Sequence, residues 1–406
     1  MTKSKILIFS IAYFPHIGGA EVAIKEITDR ISDFSWDMVT LNIDTKRNKE
    51  KRNKEIKKLR DANTTNAKLE KVGNINVYRI SCSKILFPFY AYRKAKELHK
   101  LNNYQIVWGM MANLAGLGAL FFTKFHKFTP RPGSGRATGH KPKFLLTLQT
   151  GNDDRKVWKK TWWWRPLYKM IYRKADYIQA ISNYLAERGK RMGAVCPISL
   201  IPNGADLEKF QVPNNKLQIR SKLQISNIKP DDKVVVTTSR LVEKNGIEYL
   251  IRAMVDMYSN VKLLILGSGE LENKLKSLTR ELGLEEKVIF LGQVDYKDIP
   301  EHLQASDIFC RPSLSEGLGS SFIEAMACGL PIIGTRVGGI PDILHDGGDG
   351  LFCEVKSPED INDKIKMLLN NEQLYKKLSF GAAHNVKLIY NWDKIAVDME
   401  KIFKEF

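Results

Sequence analysis

Residues 307–335, with the sequence DIFCRPSLSEGLGSSFIEAMACGLPIIGT, decide the fold class. The apolar run Asp307–Cys310 predicts a buried strand. A Gly/Ser turn then opens a helix that ends at Gly329, a glycine in the position typical of a helix C-cap. The apolar run Pro331–Gly334 follows at once and predicts a second, parallel strand. This order of strand, helix and strand is typical of an α/β domain with helices on both faces of a parallel sheet.

The same alternation extends along the whole chain of 406 residues. Runs rich in β-branched residues alternate with segments of helical period, which predicts parallel strands covered on both faces by helices. In the first half the runs are Ile6–Ser10, Ile106–Trp108, Phe144–Thr150, Tyr177–Ile181 and Ile198–Ile201. In the second half they are Val234–Ser239, Val261–Leu266, Val288–Leu291, Asp307–Cys310, Pro331–Gly334 and Leu351–Val355.

The length and the turn tripeptide Pro202-Asn203-Gly204 predict two doubly wound domains in tandem, residues 1–202 and residues 203–388. A final segment, residues 389–406, contains a predicted helix, Trp392–Phe406, with apolar side chains on one face. We expect this segment to pack back across the domain interface. Its apolar residues are Ile395, Met399, Ile402 and Phe406.

The composition excludes several classes of protein. Hydrophobic residues make up 43% and charged residues 27%, unlike a disordered, collagen-like or membrane-spanning chain. Five cysteines without close spacing predict neither a disulfide framework nor a zinc site, and therefore a reducing, cytoplasmic compartment. The run Ile6–Phe9 is too short for the core of a signal peptide. The longest apolar stretch, Ile106–Phe122, is interrupted by glycines, and we interpret it as a buried strand and helix.

The net charge of +19 is concentrated in the first half of the chain. Residues 1–202 contain 38 Lys and Arg against 15 Asp and Glu, which predicts a polyanionic partner such as a nucleotide, nucleic acid or an anionic membrane. A solvated surface is the alternative for a single run such as Lys46–Arg60.

The Pro- and Gly-rich segment Thr129–Pro142 predicts an exposed loop. The segment Val157–Arg173 interleaves Trp and Tyr with Lys and Arg, as in a helix at a lipid interface; alternatively its aromatic residues cover a groove or bind nucleic acid.

Two glutamates, Glu316 and Glu324, flank the Gly/Ser turn that opens the central helix. Gly317 and Gly319 let the backbone lie against a ligand, and the helix N-terminus is suited to a diphosphate. The N–H groups and hydroxyls of Ser320 and Ser321 are the candidate contacts. Glu316 is then placed to accept hydrogen bonds from hydroxyls at one end of the ligand, and Glu324 to hold a ribose diol. Further glycine turns follow other strands at Gly18-Gly19, Gly267-Ser268-Gly269 and Gly338-Gly339.

Two basic residues, Arg240 and Lys244, follow the buried strand Val234–Ser239. Together they can neutralise the charge that develops on a leaving phosphate. The sequence contains no Asp-x-Asp, and its seven histidines form no short ligand cluster. We therefore expect no metal and no resident cofactor.

In this order, the motifs resemble the nucleotide-sugar-dependent retaining glycosyltransferases of family 4. The resemblance covers nearly the whole chain and implies the GT-B fold: two Rossmann-like domains facing a central cleft, with a C-terminal helix that crosses back. It implies that residues 1–202 bind the acceptor and residues 203–388 the donor. It rests on Gly18-Gly19-x-Glu21, Pro202-Asn203-Gly204-x-Asp206, Arg240 with Lys244-x-Gly246, Glu316-x7-Glu324 and Gly338-Gly339.

The resemblance also implies roles for individual residues. Arg240 and Lys244 would hold the donor diphosphate, and Glu316 the donor sugar. Gln149 stands where many members have a histidine; it can bind a sugar hydroxyl but cannot titrate near neutral pH. Lys244 follows the arginine by four residues, where five is the common spacing. The implied catalytic residues are Glu316, Arg240, Lys244 and Gln149. The implied donor-binding residues are Gly18, Gly19, Gly267, Gly269, Gly317, Leu318, Gly319, Ser320, Ser321 and Glu324.

Together these features predict a metal-independent hexosyltransferase. It would move a sugar, with retention, from a nucleoside diphosphate sugar to a hydroxyl acceptor. The basic first half favours a glycan or lipid-linked acceptor at the inner face of the plasma membrane, in cell-surface polysaccharide or glycolipid synthesis. Nucleic acid is not expected as a partner. Two alternatives are a sugar-nucleotide hydrolase or epimerase of the same fold, and a non-catalytic basic adaptor for membrane or nucleic acid.

Overall fold

The computed structural model describes residues 3–43, 67–126, 141–213, 215–223, 225 and 227–406. The run Lys46–Arg60 and nearly all of the predicted loop Thr129–Pro142 lie outside the described residues. The chain divides into two compact units. The first comprises Met1–Thr150, Arg155–Pro202 and Asp393–Phe406, and the second Gly151–Asp154 and Asn203–Trp392.

The elements follow the alternation that the sequence predicts. The strands are β1 (Ser4–Phe9), β2 (Phe34–Leu41), β3 (Ala67–Val72), β4 (Ile75–Ile80), β5 (Ile106–Met110), β6 (Lys143–Leu148), β7 (Tyr177–Ala180), β8 (Ile198–Leu200), β9 (Lys233–Thr238), β10 (Val261–Leu266), β11 (Val288–Gly292), β12 (Ile308–Arg311), β13 (Ile332–Thr335) and β14 (Gly350–Cys353). The helices are α1 (Gly19–Arg30), α2 (Phe87–Asn102), α3 (Leu114–Leu120), α4 (Asp154–Thr161), α5 (Arg165–Arg173), α6 (Asn183–Arg191), α7 (Lys216–Leu223), α8 (Ile247–Ala253), α9 (Glu272–Glu281), α10 (Ile299–Gln304), α11 (Ser320–Ala327), α12 (Pro358–Asn370), α13 (Glu372–Ile389) and α14 (Trp392–Lys404).

In the first unit the strands form one sheet in the order β3-β4-β2-β1-β5-β6-β7-β8. All neighbouring strands are parallel except β3, which runs antiparallel to β4 at the edge. The central strand β1 is buried on both faces, since Ile6–Phe9 have no exposed surface. The predicted doubly wound α/β architecture is confirmed here. The strands β2, β3 and β4 were not predicted, because polar residues interrupt their apolar runs.

Two predictions about helices in the first unit have different outcomes. The stretch Ile106–Phe122 is a buried strand and helix, β5 and α3, as expected. The segment Val157–Arg173 is not one helix, because α4 ends at Thr161 and α5 begins at Arg165. A proline lies in the first turn of α5, where a backbone N–H would make no intrahelical hydrogen bond, so its absence costs nothing. In the middle of one continuous helix the same proline would break the helix.

The last helix, α14, belongs to the first unit from Asp393 onward. The ring of Phe403 lies 5.4 Å from that of Trp36 and 5.3 Å from that of Trp108, measured between centroids. The buried side chains Ile395, Met399 and Ile402 follow the predicted apolar face. The helix begins at Trp392, as predicted for the last helix, while residue 389, the first residue of the predicted C-terminal segment, is the last residue of α13.

In the second unit the strands form one parallel sheet in the order β11-β10-β9-β12-β13-β14. Val235, Leu263, Ile265, Ile308 and Ile333 are fully buried in its core. This unit also has the predicted doubly wound architecture. The short segment Gly151–Asp154 is part of it, whereas the sequence boundary placed these residues in the first domain. Within the described parts of the chain, we find no helix with the length and apolar character needed to cross a bilayer.

Candidate functional site

The candidate site lies at the carboxyl edge of the second sheet, where ligands bind in open α/β folds. The loops after β9, β12 and β13 meet there at very close range. A Cβ atom added at Gly246 would overlap the carbonyl oxygen of Pro312, and one at Gly338 would overlap that of Glu316. Likewise, a Cβ at Gly267 would overlap the carbonyl of Ser239. Of these three glycines only Gly267 was predicted as a donor contact, and all three let the loops pack against each other.

The carboxylate of Glu316 is held in one orientation. Its Oε2 atom accepts a hydrogen bond of 2.8 Å from Nη2 of Arg311, and its Oε1 atom accepts one of 2.8 Å from the N–H of Gly317. The ammonium of Lys244 lies 3.9 Å from Oε1. The side chain of Glu316 is only 12% exposed, so these partners rather than solvent stabilise its charge.

The two predicted basic residues differ in their surroundings. Lys244 lies in a 3₁₀ turn, Glu243–Asn245, and its carbonyl accepts from the N–H of Leu314, which joins the loops after β9 and β12. Its ammonium also lies 3.5 Å from the carbonyl oxygen of Gly151. Arg240 is exposed and has no side-chain hydrogen bond or ion pair with any described residue. The structure thus brings Lys244 to Glu316 and leaves the guanidinium of Arg240 available to a ligand.

The N-terminus of α11 follows Gly319, whose φ of +98° is in the left-handed region that favours glycine. The hydroxyl of Ser320 accepts from Nδ2 of Asn203 at 3.2 Å, and that of Ser321 accepts from Nη1 of Arg311 at 2.7 Å. Each hydroxyl therefore keeps its own hydrogen for a further acceptor, such as a phosphate oxygen. The side chain of Leu318 is buried, so only its backbone is available to a ligand.

Glu324 lies one turn further along α11 and is 9% exposed. Its Oε1 atom accepts a hydrogen bond of 3.1 Å from the hydroxyl of Tyr296. Burial raises the pKa of Glu324 to about 7, although the Tyr296 hydrogen bond and the charge of Arg311 act in the opposite direction. A ligand hydroxyl that donated to this carboxylate would favour its ionised form. Strongly perturbed carboxyl groups of this kind cluster at functional sites.

Three of the predicted site residues lie in the first unit. Gly18 is the N-cap of α1 and Gly19 its first residue. Gln149 is buried and directly follows β6. Since β5 alone separates β1 from β6 in the sheet, these residues share its carboxyl edge.

Sequence reasoning missed two residues of the second unit, Arg311 and Tyr296. Arg311 ends the apolar strand β12 and is 5% exposed. A charged residue at the end of an otherwise apolar run was a usable signal, because an arginine is rarely buried without a partner. Tyr296 lies in a polar loop after β11, and nothing in its sequence context indicates its contact with Glu324.

Comparison with known proteins agrees with this architecture. The model described as Glycosyltransferase Family 4 matches residues 17–209, and that of Glycosyl transferases group 1 matches residues 218–384. An uncharacterized glycosyltransferase of Methanocaldococcus jannaschii is 28% identical to this chain. The alignment covers 100% of this chain and 99% of that protein. A second relative, from Corynebacterium glutamicum, is a GDP-mannose-dependent monoacylated alpha-(1-6)-phosphatidylinositol monomannoside mannosyltransferase. It is 30% identical in an alignment that covers 56% of this chain and 61% of that protein.

A solved structure has the same fold over the full length of the chain. The Anabaena protein HepE, in complex with UDP-glucose, has a TM-score of 0.75 and 17% sequence identity. The similarity covers 99% of this chain and 100% of that protein. The fold, with two parallel-sheet domains, is therefore that of the GT-B glycosyltransferases.

Proposed function

We propose that this chain, which belongs to the glycosyltransferases of family 4 with the GT-B fold, transfers a sugar from a nucleoside diphosphate donor to a hydroxyl acceptor with retention at the anomeric carbon. The observation that carries the proposal is the fixed carboxylate of Glu316, beside Lys244 and close in sequence to the N-terminus of α11. Such a set of groups offers an acceptor to sugar hydroxyls and donors to a diphosphate. Two of the compared proteins, HepE and the mannosyltransferase, are named with a nucleotide sugar, which supports this class of donor.

In this proposal Arg240, Lys244 and the first turn of α11 hold the diphosphate. Glu316 accepts hydrogen bonds from hydroxyls of the sugar, and Glu324 from the ribose diol. The bond between the anomeric carbon and the phosphate oxygen breaks as the acceptor oxygen bonds to the same face of that carbon. The leaving phosphate oxygen takes the acceptor proton, while Lys244 and Arg240 stabilise the negative charge on the diphosphate. Gln149 binds a sugar hydroxyl and transfers no proton.

Nucleotide binding without metal tests this assignment. Thermal unfolding is measured with UDP, GDP, ADP and their sugars, in EDTA and in magnesium. A ligand at about 100 times its Kd adds ~2.7 kcal/mol to the free energy of unfolding. We expect one base to raise the unfolding midpoint equally in both conditions. A midpoint that rises only with magnesium would contradict metal independence.

This experiment, together with an assay of donor consumption, also separates the alternatives. No shift with any nucleotide would contradict the donor site and favour a non-catalytic adaptor. Donor consumption without a glycosylated product would favour a hydrolase or epimerase. With an acceptor present, NMR of the product reports the anomeric configuration, and inversion would contradict a retaining mechanism.

We further propose that the acceptor is lipid-linked and is met at an anionic membrane, with the turn between α4 and α5 as the docking surface. Trp162 and Trp163 in this turn are 71% and 60% exposed. Residues 155–175 contain eight Lys and Arg and no Asp or Glu. Buried Tyr168 and Tyr172 anchor α5, which leaves the tryptophans free for a lipid interface. A relative named for a phosphatidylinositol mannoside substrate supports a lipid acceptor.

Sedimentation with phosphatidylserine vesicles tests this surface. The protein is expected to pellet with the vesicles at low salt, and the double variant Trp162→Ala/Trp163→Ala to remain mainly in the supernatant. Phe380→Ala removes an aromatic side chain that is 73% exposed in the second unit and should pellet like the wild type. Equal pelleting of the tryptophan variant would exclude this turn as the docking surface. Wild-type protein that stays in the supernatant would contradict membrane binding altogether.

A further inference from the structure

Arg311 is a charged residue buried beneath the candidate donor site. It ends β12, and its guanidinium donates to three groups from different parts of the unit. Nη2 donates to Oε2 of Glu316 at 2.8 Å, and Nη1 donates to Oγ of Ser321 at 2.7 Å. Nη1 also lies 3.4 Å from the carbonyl oxygen of Thr238, at the end of β9. The guanidinium carbon is 4.4 Å from the ring centroid of Phe322, so the aromatic face covers it.

This geometry uses properties that only arginine has. The guanidinium is a planar fork with donors at fixed angles, and it reaches a carboxylate and a hydroxyl at the same time. A lysine ammonium at this position has the charge but not the planar fork. The side chains of Arg311 and Glu316 are 6% and 12% exposed. Solvent therefore does not compete for the hydrogen bonds that fix their orientations. The contact with Ser321 fixes Glu316 relative to the first turn of α11.

We propose that Arg311 is the positioning residue of the donor site, fixing the carboxylate of Glu316 relative to α11 without itself touching the donor. This rests on the proposed function, in which Glu316 contacts the donor sugar. With Oε2 committed to Arg311, Oε1 is the oxygen that faces Lys244 and the N–H of Gly317. The carboxylate therefore meets a ligand in one orientation. A preorganised contact of this kind accelerates a reaction because it needs no rearrangement in the transition state.

The charge of Arg311 acts on both glutamates of the motif. It forms the ion pair with Glu316, and it lowers the pKa of Glu324 against the effect of burial. Its own pKa is lowered by burial, while the charges of Glu316 and Glu324 raise it. Arg311 thus pairs with the carboxylate of Glu316 and favours the ionised form of the more deeply buried Glu324.

A double-mutant cycle tests the positioning role. Arg311→Met is expected to lower kcat by about 10²-fold, because the carboxylate of Glu316 would be misplaced relative to the donor. The change in the donor KM should be smaller. In a Glu316→Gln background, Arg311→Met should lower kcat by no more than about twofold further, because its effect acts through Glu316. Independent, multiplicative losses would overturn the proposal and assign Arg311 a purely structural role.

Two further variants make the outcome specific. Arg311→Lys should remain impaired, because it keeps the charge without the fork; wild-type kcat in this variant would overturn the positioning role. The same lysine variant takes the place of Arg311→Met in the cycle if the methionine variant does not fold. If Glu316→Gln alone has wild-type kcat, the proposed function of Glu316 fails, which is distinct from failure of this inference.

A matched control lies at the opposite end of the same strand. The side chain of Arg220 is 10% exposed and donates to the carboxylate of Asp307 at 2.6 Å, just before β12 begins. Arg220→Met removes an Arg–carboxylate pair of similarly low exposure at the amino edge of the sheet. It is expected to lower the unfolding midpoint and to leave kcat of the folded protein unchanged. Equal loss of kcat in Arg220→Met and Arg311→Met would overturn the specific role of Arg311.

Discussion

Replacing Glu316 by glutamine is expected to lower kcat by at least ~10²-fold, the size typical of losing one preorganised electrostatic contact. The amide keeps the shape of the side chain but lacks the negative charge that Arg311 and the N–H of Gly317 now hold in place. Hydrogen bonds from sugar hydroxyls to a neutral amide are weaker than those to a carboxylate. Steady-state kinetics with varied donor concentration measures the effect, which should fall mainly on kcat.

Alanine at the same position is expected to affect stability as well. Removing the carboxylate leaves the buried guanidinium of Arg311 without its ionic partner, which costs about 3–5 kcal/mol for a buried pair. Glutamine is therefore the better variant for kinetics, and alanine the better one for thermal unfolding. Glu301→Ala is a suitable control, because Glu301 pairs with Lys222 on the surface at 2.6 Å and its loss should change neither quantity much. Wild-type kcat in Glu316→Gln would remove Glu316 from the mechanism.

The strands of the second unit could be predicted from the sequence to within one or two residues. Apart from the partly buried edge strand β11, each is a short apolar run buried on both faces, as in Val261–Leu266, and its short length favours a strand over a helix. The strands β2, β3 and β4 could not be predicted in the same way. In β3 the sequence AKLEKV places charged residues on an exposed edge strand, where propensity and burial give little signal.

The candidate site could be predicted in part, and the missing part has a physical reason. The spacing of Glu316 and Glu324 across a Gly/Ser turn pointed to the carboxyl edge of the sheet. It did not show that the hydroxyl of Ser321 is already bonded to Arg311. The side chain of the last residue of a strand, here Arg311, can lie in the core or on the surface, and only the register of β12 decides this. Sequence motifs therefore locate ligand contacts more readily than the residues that support them.

Glycines in the loops of the candidate site allow close packing around Glu316. Among these glycines, we expect substitution of Gly338 to lower kcat most. Its φ is +57°, and an added Cβ would overlap the carbonyl oxygen of Glu316. The N–H of the next residue, Gly339, donates to that same oxygen at 3.2 Å. Gly338→Ala must therefore displace the backbone of Glu316 and with it the carboxylate. A displacement of about 1 Å costs ~10²-fold in rate, so we expect a loss of kcat of that order.

Gly347→Ala separates this displacement from backbone strain. Gly347 has a similar φ of +71°, but an added Cβ there would meet no atom within 4 Å. Alanine at Gly347 therefore carries only the cost of the left-handed conformation, about 1–2 kcal/mol, with no displaced neighbour. We expect both variants to unfold at lower temperature than the wild type, and only Gly338→Ala to lose kcat. Since both positions have the left-handed conformation but only Gly338 overlaps Glu316, an equal loss of kcat in both would show that general destabilisation, and not the position of Glu316, limits the reaction.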